Sequence, residues 1–414
     1  MWMDWALAGV ATVSALVWVA IALSPRLREP GRHRLPHHVG PGSAGDDSPG
    51  EAWPAVAIVV PGRDEAAHLP VVLPALTGQR YAGPLRVVFI DDASTDATPA
   101  LVAAQAHPRL LPVRLDGDPP AGWVGKCHAV WSGMARLAEA EAEEPEDNHA
   151  AWLCFTDADI VWHPNLLRCA VVEATGRGGR APCDVLALAP TLEFGSAVET
   201  VVQLQLVLAL ALFFPFSHAM DPRRETALTG GAFILVRREI YDAVGGHAAV
   251  RDQVVEDLEL GRLLKRGGAR MRVALAGELQ RCRMYDGWQD MSEGLSKNVA
   301  AGLRYSRPLG LALLVAVWVC NVSPPLVLLA AGARLALGAD ARLLLSAALA
   351  LALLAWSAQA WCFAIACRIT RVPGRWAWSA PLGSAIYSMF LVKSFADARR
   401  GGNAWKGRRY AAEG

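Results

Sequence analysis

Trp152-Leu153-Cys154-Phe155-Thr156-Asp157-Ala158-Asp159 is a short apolar run that stops at two aspartates one residue apart. Such a run reads as a buried strand, and open α/β sheets present ligand-binding groups at the carboxyl ends of their strands. Two carboxylates at that spacing can share a hard divalent cation, with substrate phosphates and water completing its shell. An acidic turn after a strand accounts for the same residues without any ligand. The flanking chain has to decide between the two.

Two earlier stretches have the same form. Val56-Ala57-Ile58-Val59-Val60 runs into Pro61-Gly62-Arg63-Asp64-Glu65, and Leu85-Arg86-Val87-Val88-Phe89-Ile90 runs into Asp91-Asp92-Ala93-Ser94-Thr95-Asp96. A helix is predicted from Ala66 to about Leu76, and another from near Thr98, capped by Ser94 or Thr95. Strand, helix and strand repeating at this spacing predict a mostly parallel α/β sheet. Glu65, Asp91 and Asp92, and Asp157 and Asp159 then sit at three strand ends along one edge, which predicts a convergent site. Between the second and third of these, Gly125-Lys126 stands at a predicted helix start, where backbone N–H groups and an ammonium can meet a phosphate. It is not a P-loop, because the spaced glycine and the hydroxyl residue after the lysine are missing.

Beyond the opening stretch, Thr229-Gly230-Gly231 turns into the apolar run Ala232 to Val236, and its glycines allow close backbone approach to a ligand. In Val254-Val255-Glu256-Asp257-Leu258-Glu259-Leu260, Asp257 is the best candidate for a general base. Acids complementing a helix dipole explain this segment equally well. In Gln280-Arg281-Cys282-Arg283, strand alternation puts Arg281 and Arg283 on one face, where they could grip a diphosphate; Trp288 and Lys297 follow.

Charged residues make up only 19% of the 414 residues, and the deficit is concentrated at the two ends. A net charge of +1 argues against a nucleic-acid binder held by overall charge. The eight cysteines form no CxxC pair, so they read as buried, reduced thiols and not as a zinc site. Trp5 to Leu23 is long enough to cross a bilayer. Arg26, Arg28, Arg32 and Arg34 follow it, which makes it a signal anchor and puts the next domain in the cytoplasm. Leu309 to Ala333 and Leu343 to Cys367 read as two further spans. Trp376 to Val392, broken by Pro381 and Gly383, reads as a re-entrant, interfacial or spanning helix. The basic tail after it favours the first two. Ser196 to Phe216 is interrupted by Glu199, Gln203 and Gln205, and reads as a core or interfacial helix. The organisation predicted is an anchor over 1–25, a flexible Pro/Gly-rich basic linker over 26–53, a catalytic domain over 54–305, a C-terminal membrane region over 306–395 and a basic tail over 396–414.

In order, Pro61 to Glu65, Asp91-Asp92 to Asp96, Gly125-Lys126, Asp157-x-Asp159, Thr229-Gly230-Gly231, Glu256-Asp257 and Gln280-x-x-Arg283 resemble the motif set of family 2 glycosyltransferases. With its flanking apolar helices, the chain is similar to the hopanoid-biosynthesis-associated glycosyltransferases of bacteria, and in general form to ceramide glucosyltransferases. The resemblance covers about residues 54–300. It implies an α/β GT-A fold, Rossmann-like with a mostly parallel sheet, carried between N- and C-terminal transmembrane helices on the bacterial inner membrane. It implies an inverting transfer from a nucleotide-sugar, a UDP-sugar, to a lipid hydroxyl, with Mg²⁺ or Mn²⁺ as cofactor. Pro61, Glu65, Asp91 and Asp92 would line the nucleotide pocket, with Lys126 close by. Asp157 and Asp159 would hold the metal, Asp159 more directly. Gly230 and Gly231 would border the donor sugar and acceptor, Asp257 would deprotonate the acceptor, and Gln280 and Arg283 would hold the diphosphate or acceptor.

Two departures matter. Processive relatives end the last motif in Arg-Trp, but here Met284 follows Arg283, which disfavours polymer synthesis. Asp64 stands where relatives often carry Asn. Three other readings remain beside the lipid glycosyltransferase: transfer to polyprenyl phosphate, a short processive glycan synthase, and a membrane scaffold with a degenerate transferase domain.

Overall fold

The computed structural model describes residues 1–36, 52–303, 306–399, 403–405 and 408–410. Residues 37–51 of the predicted linker lie outside this set. So do much of the basic tail, including Arg400 and Lys406, and the side chains of Lys297, Arg399, Arg408 and Arg409. The chain forms two compact units, one of residues 31–193 and 216–284, the other of residues 1–30, 194–215 and 285–414.

The first unit is built on a sheet. Its strands are β1 (Val56–Gly62), β2 (Leu85–Asp92), β3 (Leu110–Leu115), β4 (Trp152–Phe155), β5 (Ile160–Trp162), β6 (Val185–Leu192), β7 (Ile234–Arg237) and β8 (Met271–Cys282). They lie in the order β3-β2-β1-β4-β7-β6-β8-β5. β2, β1 and β4 run parallel, as the sequence predicts, and β3, which the sequence reading did not mark, joins them parallel to β2. β7 is antiparallel to both of its neighbours, β6 and β8 are parallel, and β5 returns antiparallel along β8. Val56 to Val60, Val87 to Ile90 and Leu153 to Cys154 are fully buried; Val56, Ile58, Val60, Val87, Phe89 and Cys154 share one core with the helices Leu69–Thr77 and Leu166–Thr175, while Val88 and Ile90 face Gly133 on the other side.

Register fixes the edge that matters. Gly62 pairs with Asp91, and Val59 with Phe155, so the carboxyl ends of β1, β2 and β4 lie side by side. The helix predicted at Gly125-Lys126 begins at Gly125 and runs to Glu141. Part of the predicted linker differs from expectation. Arg34 bridges to Leu275, the Leu35 N–H donates to the Leu275 carbonyl, and Leu35 is buried. An extended apolar residue beside an open strand is better placed pairing with it than in water, so 33–35 is sheet-bound.

The second unit is helical. Trp2–Leu23, Arg307–Ala336 and Arg342–Thr370 are long and apolar enough to cross a membrane. The middle one contains a π-turn at Trp318–Val322. Ala197–Phe213 is apolar but 17 residues long, short of a span, as its interrupting polar residues suggest. Ala380–Arg399 is one continuous helix despite Gly383, and the turn Gly374–Ser379 precedes it. The eight cysteines are all free, and all but Cys320 are buried.

Candidate active site

The loops after β1 and β2 hold each other. Asp64 and Ala93 both adopt left-handed backbone conformations, with φ of 53° and 55°. Aspartate tolerates that region better than most residues, which fits Asp64 at this turn. The Asp64 N–H donates to Ser94 Oγ (2.9 Å), and the Thr95 N–H donates to Asp64 Oδ1 (2.7 Å). The Ala66 N–H donates to Asp96 Oδ2 (3.0 Å), the Glu65 N–H to Thr98 Oγ1 (2.8 Å), and Arg63 to the Asp92 carbonyl (3.0 Å). The helix Thr98–Ala104 is entered through Asp96, whose Oδ1 accepts from the Thr98 N–H at 2.9 Å. Ser94 and Thr95, the predicted caps, are occupied by Asp64 instead. Glu65 is buried with His68 Nδ1 at 2.9 Å. Asp91 is buried too, accepting from the Ser94 N–H at 2.9 Å, with Arg114 Nε 3.9 Å away. Glu65, on the loop after β1, and Asp91 and Asp92, at the end of β2, thus stand on segments locked into one wall.

The second cluster forms where β4, the glycine turn and two helix N-termini meet. Lys126 Nζ lies 2.6 Å from Asp157 Oδ1 and 2.7 Å from Glu256 Oε1. Burial works against the ammonium, but the carboxylates of Asp157, Glu256 and Asp257 outweigh it and hold its pKa well above the usual lysine range. Asp257 receives two backbone hydrogen bonds, from Gly231 N–H to Oδ2 and from Leu258 N–H to Oδ1, both 2.7 Å. Burial and the neighbouring Glu256 carboxylate nonetheless raise its pKa to about 7, against the pull of Lys126. Pro61, Phe155, Thr156, Gly231 and His247 line the same cavity. His247 is buried against Phe155 and bonded to Tyr241, and burial lowers its pKa to about 3, so it is neutral.

Gly231 leaves room for this cluster, and a side chain there would push Asp157 and Lys126 out of place. A Cβ there would collide with Asp157 Oδ2 and come within 2.8 Å of Lys126 Nζ, whereas Gly230 has nothing within 4 Å. The turn is braced from behind at the Ala232 carbonyl, which accepts from Thr156 Oγ1 (2.8 Å) and from the buried Gln280 Nε2 (2.7 Å). Gln280 therefore supports the glycine turn from inside. Arg281 and Arg283 lie on the exposed side of the strand end, as alternation predicts, with Arg281 3.2 Å from Glu193. Asp159 lies beside Cys282, at 4.0 Å from sulfur to Oδ2. Burial and the carboxylates of Asp159 and Asp157 keep that thiol protonated, so it offers no thiolate. The contacts described here bring together Lys126, Asp157, Gly231 and Asp257. Glu256 joins them, a residue the sequence reading noted only as the neighbour of Asp257.

Among the described residues, no three His, Cys, Asp or Glu side chains converge as a metal-binding group. A site of two carboxylates completed by phosphate oxygens and water suits Mg²⁺ or Mn²⁺, and Asp157 and Asp159 fit that pattern; Asp157 is over a third exposed.

The family model for glycosyltransferase like family 2 matches residues 54–289, more than half of the chain. The chain belongs to this family. This family 2 chain is 23% identical over 263 residues to a 4,4'-diaponeurosporenoate glycosyltransferase of Staphylococcus aureus, covering 63% of the chain and 65% of that relative. It is 28% identical over 204 residues to an N-acetylglucosaminyl-diphospho-decaprenol L-rhamnosyltransferase of Mycobacterium tuberculosis, covering 45% and 62%. Among solved structures, a mannosyltransferase from Pyrobaculum calidifontis in complex with GDP-Man and Mn²⁺ aligns over 84% of the family 2 chain and 97% of its own, with a TM-score of 0.44 and 20% identity.

Proposed function

We propose that this chain is a membrane-bound, inverting, metal-dependent glycosyltransferase that moves a sugar from a UDP-sugar to a lipid hydroxyl, the acceptor being a hopanoid. The observation that carries the chemistry is Asp257. It is a half-buried carboxylate oriented by two backbone N–H groups beside Lys126, Asp157 and Glu256, and burial and the Glu256 carboxylate raise its pKa to about 7. A base poised near neutral pH can accept a hydroxyl proton while remaining substantially ionised. Each Asp257 oxygen spends one lone pair on a backbone N–H and keeps the other for the acceptor proton. One base suffices for direct, inverting attack, and no nucleophile–base pair is needed.

Asp157 and Asp159 would hold Mg²⁺ or Mn²⁺, which when bound would offset charge on the departing diphosphate. Lys126 adds a fixed positive charge beside Asp157. The locked wall of Glu65, Asp91 and Asp92 would receive the nucleotide, and Arg283 the diphosphate or acceptor. Three apolar helices support placement in a bacterial cytoplasmic membrane, with the sheet unit facing the cytoplasm. A lipid acceptor agrees with relatives named for transfer to diaponeurosporenoate and to a diphospho-decaprenol.

The test uses the purified full chain with UDP-sugars and lipid extracts. Transfer should require Mg²⁺ or Mn²⁺ and stop with EDTA. Asp257→Asn should lower turnover about 10²–10⁴-fold while keeping donor binding. Asp159→Ala should abolish metal-dependent donor binding. Turnover retained in Asp257→Asn would remove it as the base. A product on polyprenyl phosphate instead of a hopanoid would reassign the acceptor.

A further inference from the structure

The helix Glu256–Arg266 that carries Asp257 also carries a buried lysine, Lys265, which the reaction does not use. Its ammonium is surrounded by four backbone carbonyls, those of Thr226 (2.7 Å), Ala219 (2.8 Å), Asp221 (3.0 Å) and His218 (3.2 Å). An ammonium has three protons to donate, so this cage saturates it with neutral partners. Burial lowers its pKa, against the smaller opposing pull of the Asp221 carboxylate. A basic residue in the last turn of a helix ordinarily faces solvent and complements the dipole. This one is spent on a loop.

The loop matters because of where it leads. Asp257, Gly261 and Lys265 are spaced four apart, so they form one ridge of the helix. Each grips a different part of the segment from His218 to Gly231. At one end the Gly231 N–H donates to Asp257 Oδ2, and Thr229 Oγ1 donates to the Asp257 carbonyl at 2.6 Å. In the middle, Gly261 lets the segment lie directly on the helix, since a Cβ there would collide with Thr229 Oγ1 and meet Ala227 Cβ at 3.1 Å. At the other end stands the Lys265 cage. Within the Lys265 cage, between Asp221 and Thr226, Pro222 to Glu225 is exposed.

We infer that Lys265 is a positioning residue for the glycosyl transfer: it clamps residues 218–226 to the helix and so fixes the Gly231 turn against Asp157 and Asp257. This rests on the function proposed above for Asp257 and Gly231. The clamp itself can be tested without activity. A clamp of this kind should act on turnover more than on donor affinity, because a small displacement of a base from its acceptor costs about 10²-fold in rate.

The experiment compares the full chain with its Lys265→Met variant. Hydrogen exchange should accelerate across 218–231 and stay unchanged in β1 and β2. The turnover number should fall about 10–100-fold, with donor KM within about threefold. In Lys265→Ala, ethyl- or propylammonium should restore turnover about tenfold or more by refilling the cage. Lys265→Arg should not, since a planar fork cannot meet four carbonyls at one point. Unchanged exchange in 218–231, equal acceleration throughout the sheet unit, or no response to alkylammonium would overturn the clamp. If Lys265→Met does not fold, Lys265→Gln, which is one bond shorter, uncharged and keeps two N–H donors, takes its place under the same criteria. A wild-type chain that transfers no sugar would remove the proposed function and leave the exchange result standing.

Discussion

The two units use buried polar groups differently. In the sheet unit a group of charged side chains gathers at one edge, so Lys126, Asp157, Glu256 and Asp257 perturb one another. In the helical unit much of the interior polarity is neutral. The Cys320 carbonyl in the π-turn accepts from Ser14 Oγ (2.7 Å) and Trp18 Nε1 (2.9 Å). Asn321 donates to Ser384 Oγ (3.1 Å), which donates onward to Gln205 Oε1 (2.9 Å). A π-turn loosens the backbone ladder, and side chains from neighbouring helices take up what it frees. The contrast separates purposes. A concentrated field can do chemistry, while dispersed amides and hydroxyls fasten helices that gain little from apolar contact in lipid.

Glycines give the sharpest way to test this. Gly231 and Gly383 both lack room for a Cβ. At Gly231 the obstacle is Asp157 and Lys126, and at Gly383 it is the Val201 carbonyl and Gln205. Gly231→Ala should therefore cut transfer about 10²-fold or more, with little change in melting temperature, as misplaced catalytic groups do. Gly230→Ala, with no protein atom nearby, should leave the melting temperature and the Asp157–Lys126 pair undisturbed, so any loss of transfer there would report the bound sugar and not the protein's own crowding. Steady-state kinetics beside thermal unfolding reads both. A Gly231→Ala chain that is fully active would break the contrast.

The field at the sheet edge should also show in pH dependence. Asp257 has a pKa of about 7 when folded, against an ordinary 3.8. At subsaturating substrate, transfer should fall about tenfold per unit below pH 7, the signature of a base being protonated. Stability should move the other way. Between about pH 4 and 7 the folded carboxyl holds a proton that the unfolded one has lost, so stability declines as pH rises through that window and is level above it. Asp257→Asn should flatten both slopes. A rate profile flat from pH 5 to 8 in the wild type would remove Asp257 as the titrating group.

These features differ in how far the sequence discloses them. β1, β2 and β4 announce themselves as unbroken apolar runs ending in acids, and Gly125-Lys126 as a helix start. The convergence of acidic strand ends follows from parallel order alone. Other features depend on partners distant in sequence. The antiparallel β7 and the β5–β8 pairing have no local signal. The pairing of residues 33–35 with Leu275 is hidden in a segment whose composition says linker. At the start of Thr98–Ala104 it is Asp96 that accepts from the Thr98 N–H, while Asp64, some thirty residues earlier, engages Ser94 and Thr95. Lys265 looks like any helix-terminal base, and its burial depends on a loop arriving from residues 218–226. The spacing Asp257, Gly261, Lys265 was the available clue.

In the helical unit, Gly383→Ala should destabilise without touching chemistry. A methyl pressed between two helix backbones costs about 1–3 kcal/mol. Reduced detergent lifetime with unchanged turnover per folded molecule is the expected result. A selective loss of turnover would mean that the helix Ala380–Arg399 takes part in the reaction.

The smallest effect separates fastening from unused polarity. Gln359 is fully buried, and its Nε2 reaches the Asn321 carbonyl only at 3.4 Å, while its Oε1 has no hydrogen-bond partner. An orphaned buried acceptor costs about 1–3 kcal/mol, and one long hydrogen bond returns about 1 kcal/mol or less. Gln359→Leu removes the orphan, fills a similar volume and leaves only the Asn321 carbonyl less satisfied. It should be neutral or stabilising by up to about 1 kcal/mol in detergent unfolding. Ser384→Ala, which cuts the link between Asn321 and Gln205, should be destabilising by a similar amount. If Gln359→Leu is instead as harmful as Ser384→Ala, its amide belongs to the fastening network, and the helical unit uses every buried polar group it holds.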